Sequence, residues 1–176
     1  MSQKAFLLDR DGTINRDTGY ISKTEDMVLL PGAAEAIRRM NRAGYLVIVV
    51  SNQSGVARGY FDMSVAEKTN EKLNLLLKEQ GAHIDAFYIC PHHPQGAVKE
   101  YAISCDCRKP GTALFEQAVR DFDLDPASCF ACGDRTRDTE RLPRLGIPED
   151  HLGVLDGKQY NDLLDFTTRM LENSPS

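Results

Sequence analysis

Lys4-Ala5-Phe6-Leu7-Leu8-Asp9-Arg10-Asp11-Gly12-Thr13 decides the fold. Its apolar half is the length of a buried strand, and its polar half is a turn with two carboxylates two residues apart. The same grammar recurs along the chain. Pro31 and Gly32 open a helical stripe through Ala36, Ile37 and Met40, and Gly44 stands where a C-terminal cap belongs. Tyr45–Val50 is apolar on both faces, as a strand covered by helices on both sides must be. Ser51–Tyr60 reads as a polar loop, and Ser64 with Glu67 at capping-box spacing starts a helix near Asp62–Ser64 that Gly81 ends. Ala86–Cys90 is a third strand and Pro91–Pro110 a long loop. A helix bearing Leu114, Phe115, Ala118, Val119 and Phe122 follows, then a strand at Ser128–Cys132. A Pro143-interrupted turn, a strand at Leu152–Leu155 and a helix from Tyr160 to Leu171 complete the pattern, with a frayed tail at Asn173–Ser176. Strands separated by helix-length segments predict an α/β, Rossmann-like, mostly parallel sheet with helices on both faces. Ligands bind such sheets outside the carboxyl ends of the strands. Asp9, Asp11, Ser51, Asn52 and Asp134 all fall at those ends.

The 176 residues predict one domain, 1–176, able to hide roughly 70% of its unfolded surface. No apolar run approaches the ~20 residues of a membrane span, and the start of the chain lacks a signal-peptide pattern. A net charge of −5 argues against a nucleic-acid partner. Five cysteines without a secretion signal favour reduced thiols and metal ligation over disulfides. The expected protein is therefore cytoplasmic, with neither membrane nor nucleic acid as partner, and a monomer. Once the sheet is built, no length remains for a separate cap domain.

The acidic turn has a specific use. One carboxylate can attack phosphorus and form an acyl phosphate, while the other protonates the leaving alkoxide and then activates water. Gly12 lets the turn tighten enough to present both. Two carboxylates facing a phosphate need a hard cation such as Mg²⁺. Asp134 supplies a further carboxylate and Asp138 is a candidate for another. Ser51 offers a hydroxyl and Lys109 an ammonium to the phosphoryl oxygens. Arg108, beside Lys109, suits bidentate contact with a second phosphate. Arg58 sits in a Gly-flanked loop, where it either faces an anionic substrate or is solvated.

Cys90-x-His92 and Cys105-x-Cys107 bracket twelve residues. Three thiolates and one imidazole suit tetrahedral Zn²⁺ and would clamp a loop within 90–107. On spacing alone His93 could replace His92. Cys129 and Cys132 also show Cys-x-x-Cys spacing, but residues three apart on a strand point to opposite faces, so both read as buried thiols. His83 and His151 read as surface residues.

Asp9-Arg10-Asp11-Gly12-Thr13, Ser51, Lys109 and Gly133-Asp134 resemble the four motifs of the haloacid dehalogenase superfamily of phosphatases. More narrowly, Ser51–Gly59 and Cys90–Gly96 resemble the D-glycero-D-manno-heptose-1,7-bisphosphate 7-phosphatases, over about Lys4 to Gly146. The resemblance implies Asp9 as nucleophile, Asp11 as general acid/base, and Ser51 and Lys109 as phosphoryl stabilisers. It implies Mg²⁺ on Asp9, Asp134 and the Asp11 carbonyl, and Zn²⁺ on Cys90, His92, Cys105 and Cys107. Candidate substrate contacts are Asp17, Thr18, Gly19, Tyr20, Asn52, Gln53, Ser54, Arg58, Arg108 and Arg135. The implied substrate is a small phosphorylated sugar, a heptose bisphosphate cleaved at C7 for nucleotide-heptose and lipopolysaccharide synthesis. Gly111-Thr112 directly after Pro110, and the short stretch from Asp138 to Gly146, depart from that pattern. The run from Gly133 to Asp138, ending at Gly146-Ile147, looks closer to histidinol-phosphate phosphatases of the same superfamily branch, and Pro143 breaks a helix the family runs unbroken. The alternatives are a histidinol-phosphate or other small sugar-phosphate phosphatase and, outside catalysis, a zinc-stabilised binding module.

Overall fold

The computed structural model describes residues 2–173. Five parallel strands lie in the order β3-β2-β1-β4-β5: β1 (Ala5–Leu8), β2 (Leu46–Asn52), β3 (Ala86–Cys90), β4 (Phe130–Gly133) and β5 (Leu152–Val154). The helices are α1 (Ala33–Arg42), α2 (Met63–Lys78), α3 (Ala113–Phe122) and α4 (Leu163–Asn173). Alternation along β1 sorts the core. Phe6 and Leu8 face α1, α2 and α4 together with Val47, Val49 and Phe166. Ala5 and Leu7 face α3 together with Ile48, Val50, Phe115 and Leu142. Helices therefore cover both faces, as the doubly apolar β2 requires. Cys129 packs on one face and Cys132 on the other, so they cannot share an ion. Among the described residues, no helix is long and apolar enough to cross a membrane.

Four local readings change. β2 runs on to Asn52 because Ser51 and Asn52 pair with Ile89 and Cys90, so both sit on a strand end rather than in a loop. β4 begins at Phe130 because Asp125 takes the Ala127 N–H (3.2 Å) and the Ser128 hydroxyl (2.7 Å), winding Pro126–Ser128 into a 3₁₀ turn. Asp62, rather than Ser64, caps α2 by accepting the Val65 N–H at 3.0 Å. Asp162 accepts the Asp165 N–H at 2.8 Å, which starts α4 at Leu163. Pro143 occupies a 3₁₀ turn, Leu142–Leu145, closed by Gly146. The tail expected to fray lies outside the described residues except for Asn173, which ends α4.

The chain order reverses between β1 and β4, which lie side by side. A crevice must open there, and it places the residues after Leu8 beside those after Gly133. β1 is the central strand, and Phe6 touches Tyr45, Phe130 and Phe166 at ring-centroid distances of 4.9, 5.0 and 6.2 Å. Phe6→Ala should lower unfolding free energy by about 3–5 kcal/mol, read from denaturant curves. A loss below 1 kcal/mol would mean this face is not the main core.

Candidate active site

Asp9 leaves β1 with its N–H bonded to the Cys132 carbonyl at 3.0 Å, which points its side chain into the crevice. Lys109 reaches it from the loop after β3. The Lys109 ammonium donates to Asp9 Oδ1 (2.7 Å), Asp138 Oδ1 (2.8 Å) and the Val50 carbonyl (2.7 Å). All three of its protons are thereby used. Lys109 is 2% exposed. Burial works against its charge, but Asp9 and Asp138 outweigh burial and hold its pKa above the usual lysine range.

Asp9, Asp134 and Asp138 bring carboxylate oxygens within 4.8 Å of one another. Burial, resisted by Lys109 and reinforced by Asp138 and Asp134, pushes the Asp9 carboxyl up to about 7. Burial and Asp138 also raise Asp134. So many hard oxygen donors against one buried ammonium make a site that fits a divalent cation. Glycines permit the crowding. Gly12 has φ +84°, and a Cβ there would collide with Asp134 Oδ2. A Cβ on Gly133 would collide with Asp138.

Asp11 is held from three sides. Arg10, fully buried, grips it through Nε (2.8 Å) and Nη2 (3.2 Å), and Asn15 and Gln53 donate at 2.9 and 3.2 Å. Arg10 is itself tied to α2 through Thr69 Oγ1 (3.0 Å) and Asn70 Oδ1 (2.8 Å). Gln53 also donates to Ser51 Oγ at 2.6 Å. Asn52 accepts the Lys109 N–H (2.9 Å) and donates to the Lys109 carbonyl (3.2 Å). Gln53 and Asn52, expected to contact substrate, line the cavity and also brace Asp11, Ser51 and Lys109.

Asp9, Asp11, Ser51, Asn52, Gln53, Lys109, Asp134 and Asp138 line one cavity of about 330 Å³, a volume suited to a small ligand. Its wall adds Asp17, Gly19, Tyr20, Ser54, Arg58, Arg108, Arg135 and Arg137. Thr18 is not part of the lining. Arg137 was missed, as were Arg10 and Asn15. Arg10 stands inside the deciding motif, but its partners lie about sixty residues away. His151 is not a free surface group: its ring packs on Phe130 at 4.4 Å and its Nδ1 lies 2.9 Å from the Cys129 carbonyl. His83 is exposed beside Asp85.

Cys90, His92, Cys105 and Cys107 converge, with ligand atoms within 4.8 Å of one another. His92 Nδ1 lies 3.2 Å from Cys107 Sγ, while His93 turns away toward Arg58 at 3.3 Å. None of the five cysteines forms a disulfide. This soft donor set could coordinate a metal. The loop between its halves is seated on the segment after β2, where the Val98 N–H bonds the Ala57 carbonyl at 2.9 Å. Only glycine fits at position 96, because a Cβ there would come within 2.6 Å of that same carbonyl oxygen.

The family model for polynucleotide kinase 3 phosphatase matches residues 4–155. The D-glycero-beta-D-manno-heptose-1,7-bisphosphate 7-phosphatase of Haemophilus ducreyi is 42% identical over 84% of this chain and 81% of its own. That of Salmonella typhi is 40% identical over 99% and 95%. The chain belongs to the heptose-bisphosphate phosphatase family of the haloacid dehalogenase superfamily. It is a phosphoric monoester hydrolase. Among solved members of this family, D,D-heptose 1,7-bisphosphate phosphatase from B. bronchiseptica, complexed with magnesium and phosphate, superposes with a TM-score of 0.76. It is 29% identical and covers 98% of this chain and 99% of its own.

The carboxylate cluster predicts a pH dependence. The folded state holds a proton on Asp9 up to about 7, whereas the unfolded chain releases it near 3.8. Between those values the folded state binds more protons, so stability falls as pH rises. In chelator-treated protein the melting temperature should decline from pH 4 to pH 7, and a divalent cation should restore it. A melting temperature that rises steadily over that window would contradict this charge arrangement.

Proposed function

We propose that this phosphatase hydrolyses the C7 phosphate of D-glycero-D-manno-heptose 1,7-bisphosphate through a phosphoaspartyl intermediate on Asp9. The observation that carries the chemistry is the Lys109 ammonium 2.7 Å from Asp9, beside Asp11, at the floor of a cavity of small-ligand size. The names of the heptose-bisphosphate phosphatase relatives support the substrate.

Lys109 fixes Asp9 by one oxygen and supplies positive charge where phosphoryl oxygens gather. Asp9 attacks phosphorus in line with the C7 oxygen, the P–O bond to C7 breaks, and Asp11 gives its proton to the departing alkoxide. Asp11 then takes a proton from water, whose oxygen attacks phosphorus and releases phosphate, regenerating Asp9. Arg10, Asn15 and Gln53 keep Asp11 placed for both transfers. Ser51 contributes its hydroxyl to the phosphoryl oxygens. Asp9, Asp134 and the Asp11 carbonyl would hold Mg²⁺, which offsets the repulsion between carboxylates and phosphate. Cys90, His92, Cys105 and Cys107 would hold Zn²⁺ as a structural clamp next to Arg108 and Lys109. On this reading the enzyme works in the cytoplasm on a small sugar phosphate, without nucleic acid, in nucleotide-heptose supply for lipopolysaccharide.

Phosphate release with Mg²⁺ from heptose 1,7-bisphosphate and from histidinol phosphate tests the assignment; preference for the latter would overturn it. Asp9→Asn should abolish turnover while the protein stays folded, and retention of a tenth of the activity would remove Asp9 as nucleophile. Asp11→Asn should lower kcat by ~10²–10⁴.

Purified protein should carry about one zinc per chain by elemental analysis, on the ligand count of a structural site. Cys107→Ala should lose it, while Cys132→Ala, on the far side of the sheet, should keep it. Absence of zinc in protein never exposed to chelator would refute the clamp.

A further inference from the structure

The acidic floor of the cavity faces a wall of opposite sign. Arg58, Arg108 and Arg137 come from three separate segments and line the same space. None of them forms an ion pair among the described residues. The Nε atoms of Arg58 and Arg137 are buried with no hydrogen-bond partner. Arg58 instead has its Nη2 3.3 Å from His93 Nε2 and its guanidinium over the Tyr20 ring at 5.7 Å. Like charges are thus held together, partly dehydrated, without a counter-ion.

Arg137 is the informative member. It stands on the 3₁₀ turn Thr136–Asp138, whose last residue is fixed by Lys109 and by the Arg135 N–H at 3.0 Å. Its backbone therefore cannot drift away from the floor. Such an arrangement costs free energy until an anion enters, and a dianion with several oxygens suits three guanidiniums best.

We propose that Arg137 is a specificity-determining residue: with Arg58 and Arg108 it forms a three-guanidinium subsite for a second, non-reacting phosphate of the substrate. The inference rests on the bisphosphate reading above and adds to it a residue that no motif points to. Arg137 binds and orients the far end of the ligand and takes no part in proton transfer.

The test compares heptose 1,7-bisphosphate with p-nitrophenyl phosphate, which has no second phosphate. For the wild type, the ratio of their kcat/KM values decides the bisphosphate reading. Absence of any preference for the bisphosphate would overturn that reading and the ligand class named here. For Arg137→Gln that ratio should fall roughly ten- to hundredfold, chiefly through KM, the size expected for one charge-assisted contact. Arg137→Lys should recover part of it. Independently of which phosphate is cleaved, heptose 1-phosphate should inhibit p-nitrophenyl phosphate hydrolysis competitively, with Ki raised about tenfold or more by Arg137→Gln. An unchanged ratio and Ki would make Arg137 a solvated cation. Equal losses on both substrates would make it a brace for Asp134 and Asp138. Either result overturns the proposal.

Discussion

The rest of the site depends on one buried ammonium. Lys109 joins the end of β1 through Asp9, the end of β2 through the Val50 carbonyl, and the turn after β4 through Asp138. Three carboxylates can gather at the switch point only because a cation of fixed position sits among them. Its position is over-determined. Asn52 clamps its backbone on one side, and the Cys107 end of the cysteine and histidine cluster lies two residues before it. The loop after β3 is long and lacks regular structure, so without such anchors its entropy would spread Lys109 over many positions.

The cavity separates charge by depth. At the floor, Asp11 is paired with Arg10, and Asp9 and Asp138 with Lys109. At the wall, Arg58, Arg108 and Arg137 have none among the described residues. Paired groups at the floor are preorganised for chemistry, which keeps reorganisation small when charge moves. Unpaired cations at the wall favour an incoming anion. A chain of net charge −5 can therefore still attract a doubly phosphorylated ligand, because the field that matters is local.

Much of this was legible in the sequence. The alternation of apolar strand runs with helical stripes specifies the parallel sheet, and the Asp9–Thr13 turn, Lys109 and Asp134 fall where such a sheet gathers its ligands. Thiol and imidazole spacing marked the Cys90–Cys107 cluster, and the choice of His92 over His93 agrees with the ring geometry. What escaped depends on long-range contact. Arg10 meets Thr69 and Asn70 across the domain, and no local pattern announces that. Arg137 has Arg135, Arg141 and Arg144 near it in sequence, and only the fold brings it to the same cavity wall as Arg58 and Arg108. Asn52 and Gln53, expected as substrate contacts, do line the cavity, and their second role as braces for Lys109, Ser51 and Asp11 shows only once the chain is folded.

The central claim is that Asp9 forms a bond to phosphorus. Rapid quench of the enzyme during turnover of the bisphosphate, followed by borohydride reduction, converts an aspartyl phosphate to homoserine at that position. Peptide mass spectrometry then reads which carboxylate carried the phosphoryl group. The account predicts homoserine at residue 9 and nowhere else. An unaltered Asp9 under conditions of full turnover, or reduction at Asp11 or Asp134, would contradict it.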